Sequence, residues 1–475
     1  MSVDVLIIRP KTKAICADPP PLGLGYLAAH LKKSGLSVKI VDLRKPGAKS
    51  SELIETLKSD QPKVAGVQVY SRDAREVSEL IGVVDEISGR SCQLVAGGPH
   101  VGTFDEKTLE HFPRFDYAIA GEGELSFPLL VKMILGDASI KPGGIAGLIY
   151  RKDGGFVVNP RHYVENIDEL GFPDRDLLDV KSYRAETFGG GFVKYTPATT
   201  MLASRSCPFN CAFCCVKSIM GTRQRSHSAE HVIEELSILE RQYGFREVKL
   251  VDDSFGLNKD FVLNLAQAYR EKGLKIALSF ACGLHLAAID DDVLEAFKQM
   301  GVYEILIAIE SGSDKILKTM RKGITLSLVH GKVDMIKKHG FPIVAFFMLG
   351  YPGETREDIN STLKLSLKLP IQRVHFNTFF PLPGSEIYRD LQATGKLGDY
   401  KLEQTHFETF RNSFVDGLSA KQLNQIRRKA LLRFYLRPRI MGKILFGIRS
   451  WTTYKFLASK AIEYFGLTNI RKANS

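Results

Sequence analysis

The segment Cys207-Pro208-Phe209-Asn210-Cys211-Ala212-Phe213-Cys214 sets three thiolate-forming side chains at spacings of four and three residues. Three sulfur ligands are one short of a closed zinc or iron–sulfur set, so the loop implies an open coordination position where something else binds. A zinc loop or plain buried cysteines are the plainer readings, but no nearby His or second CxxC offers a fourth ligand, and His227 is distant in sequence. Seven cysteines in 475 residues, four of them at 207, 211, 214 and 215, are too few and too clustered for a disulfide framework. Two acidic groups also sit where strand-like runs end: Asp252-Asp253-Ser254-Phe255 and Glu310-Ser311-Gly312-Ser313. Carboxylates there can pair with an ammonium or accept from hydroxyls.

The length suggests about three domains. The first 140 residues alternate short β-branched runs (Val3 to Ile8, Val38 to Val41, Val64 to Val69, Leu94 to Ala96, Tyr117 to Ala120) with stretches long enough for helices. That alternation predicts an α/β doubly wound parallel sheet, whose ligand sits beyond the carboxyl ends of the strands. The irregular residues fall there: Pro19 to Gly23, Gly97-Gly98-Pro99-His100 and Gly121-Glu122-Gly123-Glu124. Residues 141–195 read as a linker with a short hairpin. Residues 196–400 hold six further strand–helix units, a partial (β/α)6 barrel with its chemistry at the strand C-termini. Residues 401–475 read as a separate basic helical region.

CxxxCxxC with an aromatic, Phe213, before its last cysteine resembles the radical S-adenosylmethionine enzymes. The resemblance implies a 4Fe-4S cluster on Cys207, Cys211 and Cys214, with the free iron chelating S-adenosyl-L-methionine. A low-potential electron from a donor such as flavodoxin or ferredoxin then splits the sulfonium bond to give a 5′-deoxyadenosyl radical. It also implies that Asp252 and Asp253 lie against the methionyl amine, and that Glu310 with Ser311 meets the ribose. Where many relatives carry an Arg after the third strand of this domain, the chain has Ala281-Cys282-Gly283-Leu284-His285.

A doubly wound domain ahead of such a barrel resembles the cobalamin-binding module, with its DxHxxG, SxL and GG signature. Here Asp18 to Gly23 occupies the first position with Pro20 in the histidine's place. Gln68-Val69-Tyr70 occupies the second and Gly97-Gly98 the third. Pro20, Gly23, Gln68, Tyr70, Gly97, Gly98, Gly121 and Glu122 are therefore the cofactor-binding candidates, around a corrin without a histidine under its cobalt. Asp42-Leu43-Arg44-Lys45-Pro46-Gly47 also spells D-x-R-x-x-G but follows the second strand, so Arg44 is not assigned that role. A Rossmann or flavodoxin-like nucleotide domain is the rival, yet no GxGxxG follows the first strand.

The net charge of +12 is local. From Arg427 to Ser475 twelve cations face one acid, Glu463, leaving the rest of the chain near neutral. This argues against a nucleic-acid cradle spread over the surface. The tail reads either as an amphipathic brace or as an interfacial helix drawn to an anionic membrane. With no apolar run near 18 residues and no secretory pattern, the expected location is cytoplasmic, with peripheral membrane association if the tail is interfacial.

The resemblance implies an enzyme that activates an inert C–H bond, with methyl transfer from cobalamin to a small-molecule or lipid-like substrate as the preferred outcome. Cyclases and ring-rearranging enzymes of the same subgroup, acting on tetrapyrroles or lipids, are the alternative. A non-catalytic corrinoid carrier and a tRNA methylthiotransferase are the further rivals. The last usually needs extra N-terminal cluster cysteines, which Cys16 and Cys92 alone do not supply.

Overall fold

A computed structural model describes residues 3–13, 19–183, 193–398, 400–401, 409–438 and 440–442. Asp18, Cys16 and the tail beyond residue 442 lie outside the described residues. The chain packs as two units, one running to Tyr303 with the stretch that starts at Pro381, the other running from Glu304 to Phe380 with the stretch after residue 404.

The first unit opens with β1 (Val5–Arg9), β2 (Val38–Asp42), β3 (Val64–Gln68), β4 (Gln93–Gly97) and β5 (Tyr117–Ile119). These are parallel and lie in the order β2-β1-β3-β4-β5. Continuous apolar runs such as Val-Leu-Ile-Ile suit strands covered on both faces. Leu6 and Ile8 enter one core with Val77, Leu80, Ile81 and Val84 of the helix Ala74–Ser88. Val5 and Ile7 enter the other with Leu24, Ala28 and Leu31 of the helix Leu22–Lys33. The hairpin expected in the linker, β6 (Leu148–Lys152) and β7 (Gly155–Val158), belongs to this sheet, because β6 pairs antiparallel with β5 and extends it to seven strands. Five helices went unread in the sequence, Pro99–Phe104 and Ser126–Ile134 here and Val216–Met220, Asp314–Thr319 and Glu386–Ala393 further along.

Beyond the linker, β8 (Ala198–Met201) is followed by a two-residue ribbon, β9 (Ser204–Arg205) with β10 (Arg225–Ser226). The parallel strands β11 (Glu247–Leu250) and β12 (Ala277–Phe280) complete a three-stranded sheet in the order β12-β11-β8. Side chains of Ser228, Asn258 and Asp290 accept from the first-turn amides of the next helices, fixing where each begins.

In the second unit, β13 (Ile305–Glu310), β14 (Ile343–Leu349) and β15 (Arg373–Thr378) form a parallel sheet. The helix Ala420–Tyr435 packs in that same unit, with Arg427 donating from Nε to the Phe376 carbonyl at 2.6 Å. The α/β class with parallel sheets and a helical C-terminal region is as expected, the six later strands falling into two three-stranded sheets. No helix among the described residues is long and apolar enough to cross a membrane.

Candidate functional site

The cysteine loop leaves the β9–β10 ribbon through Ser206, a fully buried residue held at φ 69°. A non-glycine residue in the left-handed region is uncommon and marks a backbone over-determined by its surroundings. Ser206 Oγ donates to the Gly221 carbonyl at 2.7 Å, closing the loop on itself. Cys207, Cys211 and Cys214 are half-buried, and the Cys214 amide donates to the Cys211 carbonyl at 3.1 Å. His285 stacks on Phe209 with centroids 3.6 Å apart, a contact the sequence did not announce.

Burial pushes the Cys214 thiol up to about 12 and that of Cys215 up to about 11, and the Asp253 carboxylate adds to both. Cys282 is likewise pushed up to about 12, by burial and then by Asp253 and Asp252. Cys282 and Asp253 nonetheless keep exposed surface. Asp253 thus stands electrostatically against cluster-loop thiols and against the loop after β12. Asp252 differs. Its carboxylate accepts from Ser204 Oγ at 2.7 Å and the Ala203 amide at 3.1 Å, and burial lifts it to about 7. Asp252 therefore holds the turn between β8 and β9, leaving Asp253 as the outward acid.

Glu310 and Ser311 belong to the second unit. A β-bulge between Ala308 and Glu310 brings Glu310 to φ 70° at the end of β13, re-aiming its side chain. Lys322 Nζ donates to its Oε1 at 3.1 Å, the pair being about nine-tenths buried. Ser311 is fully buried, and its hydroxyl accepts from the Ser313 amide at 3.2 Å, so it shapes the turn.

In the first sheet the strand order reverses direction between β1 and β3, the switch point at which such sheets bind ligands. Gln68 and Gly97 are register partners at the ends of β3 and β4, and the Val69 amide donates to the Gly97 carbonyl at 2.7 Å. Gln68 Oε1 is buried with no partner among the described residues. A Cβ added at Gly23 or Gly97 would meet nothing within 4 Å. Gly98 differs, since a Cβ there would lie 3.2 Å from the Val69 carbonyl oxygen. Pro20 is buried and accepts from the Leu22 amide at 2.9 Å. Tyr70 lies under the Arg44 guanidinium, whose Nη2 is paired with Asp73.

Glu122 and Gly121 sit in the loop after β5. Glu122 Oε1 accepts from Arg205 at 3.0 Å, while its Oε2 accepts from Arg225 and from the Val164 amide, both at 2.8 Å. Glu124 Oε1 takes the second Arg205 nitrogen at 2.7 Å. All four side chains are at least nine-tenths buried. Although burial opposes ionisation, the guanidinium groups hold the Glu122 carboxyl below its usual range. This network ties the first sheet to the ribbon two residues before Cys207. Glu124, Arg205 and Arg225 carried no sequence signal of that partnership.

Three sulfur donors on one loop suit an iron–sulfur cluster. An orphaned amide oxygen at the end of β3, an open glycine at the end of β4 and another in the first turn of the helix after β1 suit a large flat cofactor. A family model described as the radical SAM superfamily matches residues 201–366, and one described as a B12 binding domain matches residues 13–131. An uncharacterized methyltransferase of Pyrococcus horikoshii is 32% identical, the alignment covering 93% of this chain and 94% of that protein. An anaerobic magnesium-protoporphyrin IX monomethyl ester cyclase of Rubrivivax gelatinosus is 22% identical over 97% of this chain and 85% of its own. In fold, the chain is similar to the radical S-adenosylmethionine methyltransferase TsrM from Kitasatospora setae, solved with cobalamin and a 4Fe-4S cluster bound. The TM-score is 0.71 at 18% identity, covering 92% of each chain.

Proposed function

As the chain belongs to the radical S-adenosylmethionine superfamily and carries a B12-binding domain, we propose that it methylates an unactivated carbon of a small-molecule or lipid-like substrate. When bound, the cluster, cobalamin and S-adenosyl-L-methionine would supply a reducing electron, a methyl carrier and the methyl source. The single observation that carries the reading is the loop that sets the free cysteines Cys207, Cys211 and Cys214 side by side within the stretch matched by the radical SAM superfamily model.

Cys207, Cys211 and Cys214 would ligate the cluster. The Phe209–His285 stack would shield one side of that loop. Asp253, drawn back toward its charged form by the Ser206 amide, would pair with the methionyl ammonium. Glu310, oriented by Lys322, would accept from ribose hydroxyls. Gln68, Gly23 and Gly97 would border the corrin, with Pro20 offering no donor atom to the cobalt. An electron donor of the flavodoxin or ferredoxin type is part of the proposal, as is any association of the basic tail with an anionic surface.

The relative named as a cyclase favours a second reading, radical ring closure without methyl transfer. Anaerobically reconstituted protein given S-adenosyl-L-methionine and a reductant separates the two. Cobalamin-dependent release of S-adenosylhomocysteine is expected for methylation; 5′-deoxyadenosine without any S-adenosylhomocysteine would sink it.

A further inference from the structure

At one end of the second unit, exposed apolar side chains and exposed cations share a surface. Of the seven large apolar residues exposed among the described residues, three gather around Arg437: Leu367 at 36%, Leu436 at 54% and Met441 at 40%. Arg437 Nη1 donates to the Leu367 carbonyl at 3.0 Å, Leu436 precedes it in the chain, and the Met441 amide donates to the Arg437 carbonyl at 2.9 Å. Leu367 lies in the last turn of the helix Arg356–Lys368, flanked by exposed Lys364 and Lys368.

The helix Ala420–Tyr435 brings the other cations. It buries Leu423, Ala430, Leu431 and Phe434, while its opposite stripe exposes Lys421, Lys429 and Arg433 and runs out into Leu436. None of these five cations is paired with a carboxylate among the described residues. From Gly417 to Gly442 the chain has no Asp or Glu. On the neighbouring helix Glu357 and Asp358 lie in the first turn, about three turns from Lys368, and Glu304, at this end of the sheet, is paired with Arg373.

Helix stability does not account for the pattern. Cations in a last turn answer the macrodipole, which explains Lys368 and Arg433. Lys421 sits in a first turn, where the same dipole opposes a cation, and no dipole exposes Leu436 or Met441. Apolar side chains among cations match a bilayer interface, whose hydrocarbon edge takes the one and whose anionic headgroups take the other. We propose that this surface docks the protein reversibly on an anionic lipid bilayer. An acidic protein would answer the same charge, but a fluid interface accepts scattered apolar side chains without a complementary pocket. The proposal rests on the anionic-surface association offered above, which it assigns to folded residues instead of the tail. Tyr435 Oη donates to the Val374 carbonyl at the start of β15 at 3.0 Å, whereas Glu310 ends β13. Docking at the strand N-termini therefore leaves the Glu310 end of this sheet open.

The test sediments the full chain with phosphatidylcholine vesicles, with and without phosphatidylserine, at low and high salt. Binding is expected with phosphatidylserine and is expected to weaken as salt rises. Each cation near such a surface contributes up to about fivefold, so Lys429→Gln/Arg433→Gln should bind about 20-fold more weakly. Leu436→Ser/Met441→Ser should bind at least about fivefold more weakly. All four positions are exposed, so both variants should keep the parent's far-ultraviolet dichroism, and both keep every residue beyond 442. Parental binding by the charge variant would assign the association to the tail. Parental binding by the apolar variant would leave an acidic protein as the better match. Either result, or no binding by the parent at low salt, would overturn the proposal. Sedimentation needs no turnover, so its failure and that of the methyl-transfer reading are distinguishable.

Discussion

Changing Glu122 to Gln removes one of two negative charges from a buried set holding two positive ones. Arg205 keeps Glu124 at 2.7 Å, but Arg225 loses its carboxylate and is left facing the Val164 and Met220 carbonyls at 2.8 and 3.3 Å. Breaking a buried pair from one side costs about 3–5 kcal/mol because the surviving charge stays desolvated. Gln retains an acceptor of similar shape, which places the cost near the lower end, about 3 kcal/mol. That is roughly a 150-fold change in an equilibrium constant. A chain of several domains has no single two-state unfolding constant, so the assay is amide hydrogen exchange at Ser204–Arg205 and Arg225–Ser226. Protection there is expected to fall about 100-fold in Glu122→Gln and only about 10-fold in Glu124→Gln, where both arginines keep Glu122. The double variant Glu122→Gln/Arg225→Gln, which restores neutrality, should recover much of the loss. A fall of less than tenfold in Glu122→Gln, or strict additivity in the double variant, would refute the argument.

In the second unit, burial pushes the Glu354 carboxyl up to about 8 while its Oε2 accepts from the Gly350 and Tyr351 amides. A raised carboxyl contributes stability that is complete below about 4.5 and is lost as pH rises through about 8. Glu354→Gln should therefore gain on the parent protein across that window and run parallel to it above, as measured by thermal midpoints against pH; a constant difference would contradict this. A Cβ at Gly312 would lie 2.5 Å from Thr362 Cα and 2.7 Å from the Ser361 carbonyl oxygen, so Gly312→Ala should destabilise the contact by about 1–3 kcal/mol, read as faster amide hydrogen exchange in the helix Arg356–Lys368. Cys215 caps a short helix beside the proposed ligands, so Cys215→Ala should retain cluster absorbance near that of the parent, whereas Ala at 207, 211 or 214 should abolish it. Loss in the Cys215 variant alone would reverse the ligand assignment.

Much of the fold and the outline of the site were legible because both are local. Strands such as Val5–Arg9 and Ile343–Leu349 are runs of apolar residues, and helices such as Ala74–Ser88 carry a buried stripe at i, i+3, i+4 and i+7, so short-range periodicity suffices. The cysteine spacing is likewise a property of eight consecutive residues. Partnership is not local. Glu122 read as a cofactor residue because it lies beyond a strand end, but folding delivers arginines from 83 and 103 residues away to its oxygens. The adjacent acids Asp252 and Asp253 are chemically alike, and only the packing of β8 beside β11 assigns one to the Ala203 turn and leaves the other exposed. The seven-stranded extent of the first sheet and the meeting of Leu367 with Arg437 have the same origin. A side chain's type states what it can bind, but a folded chain's long-range contacts decide which of its neighbours has already bound it.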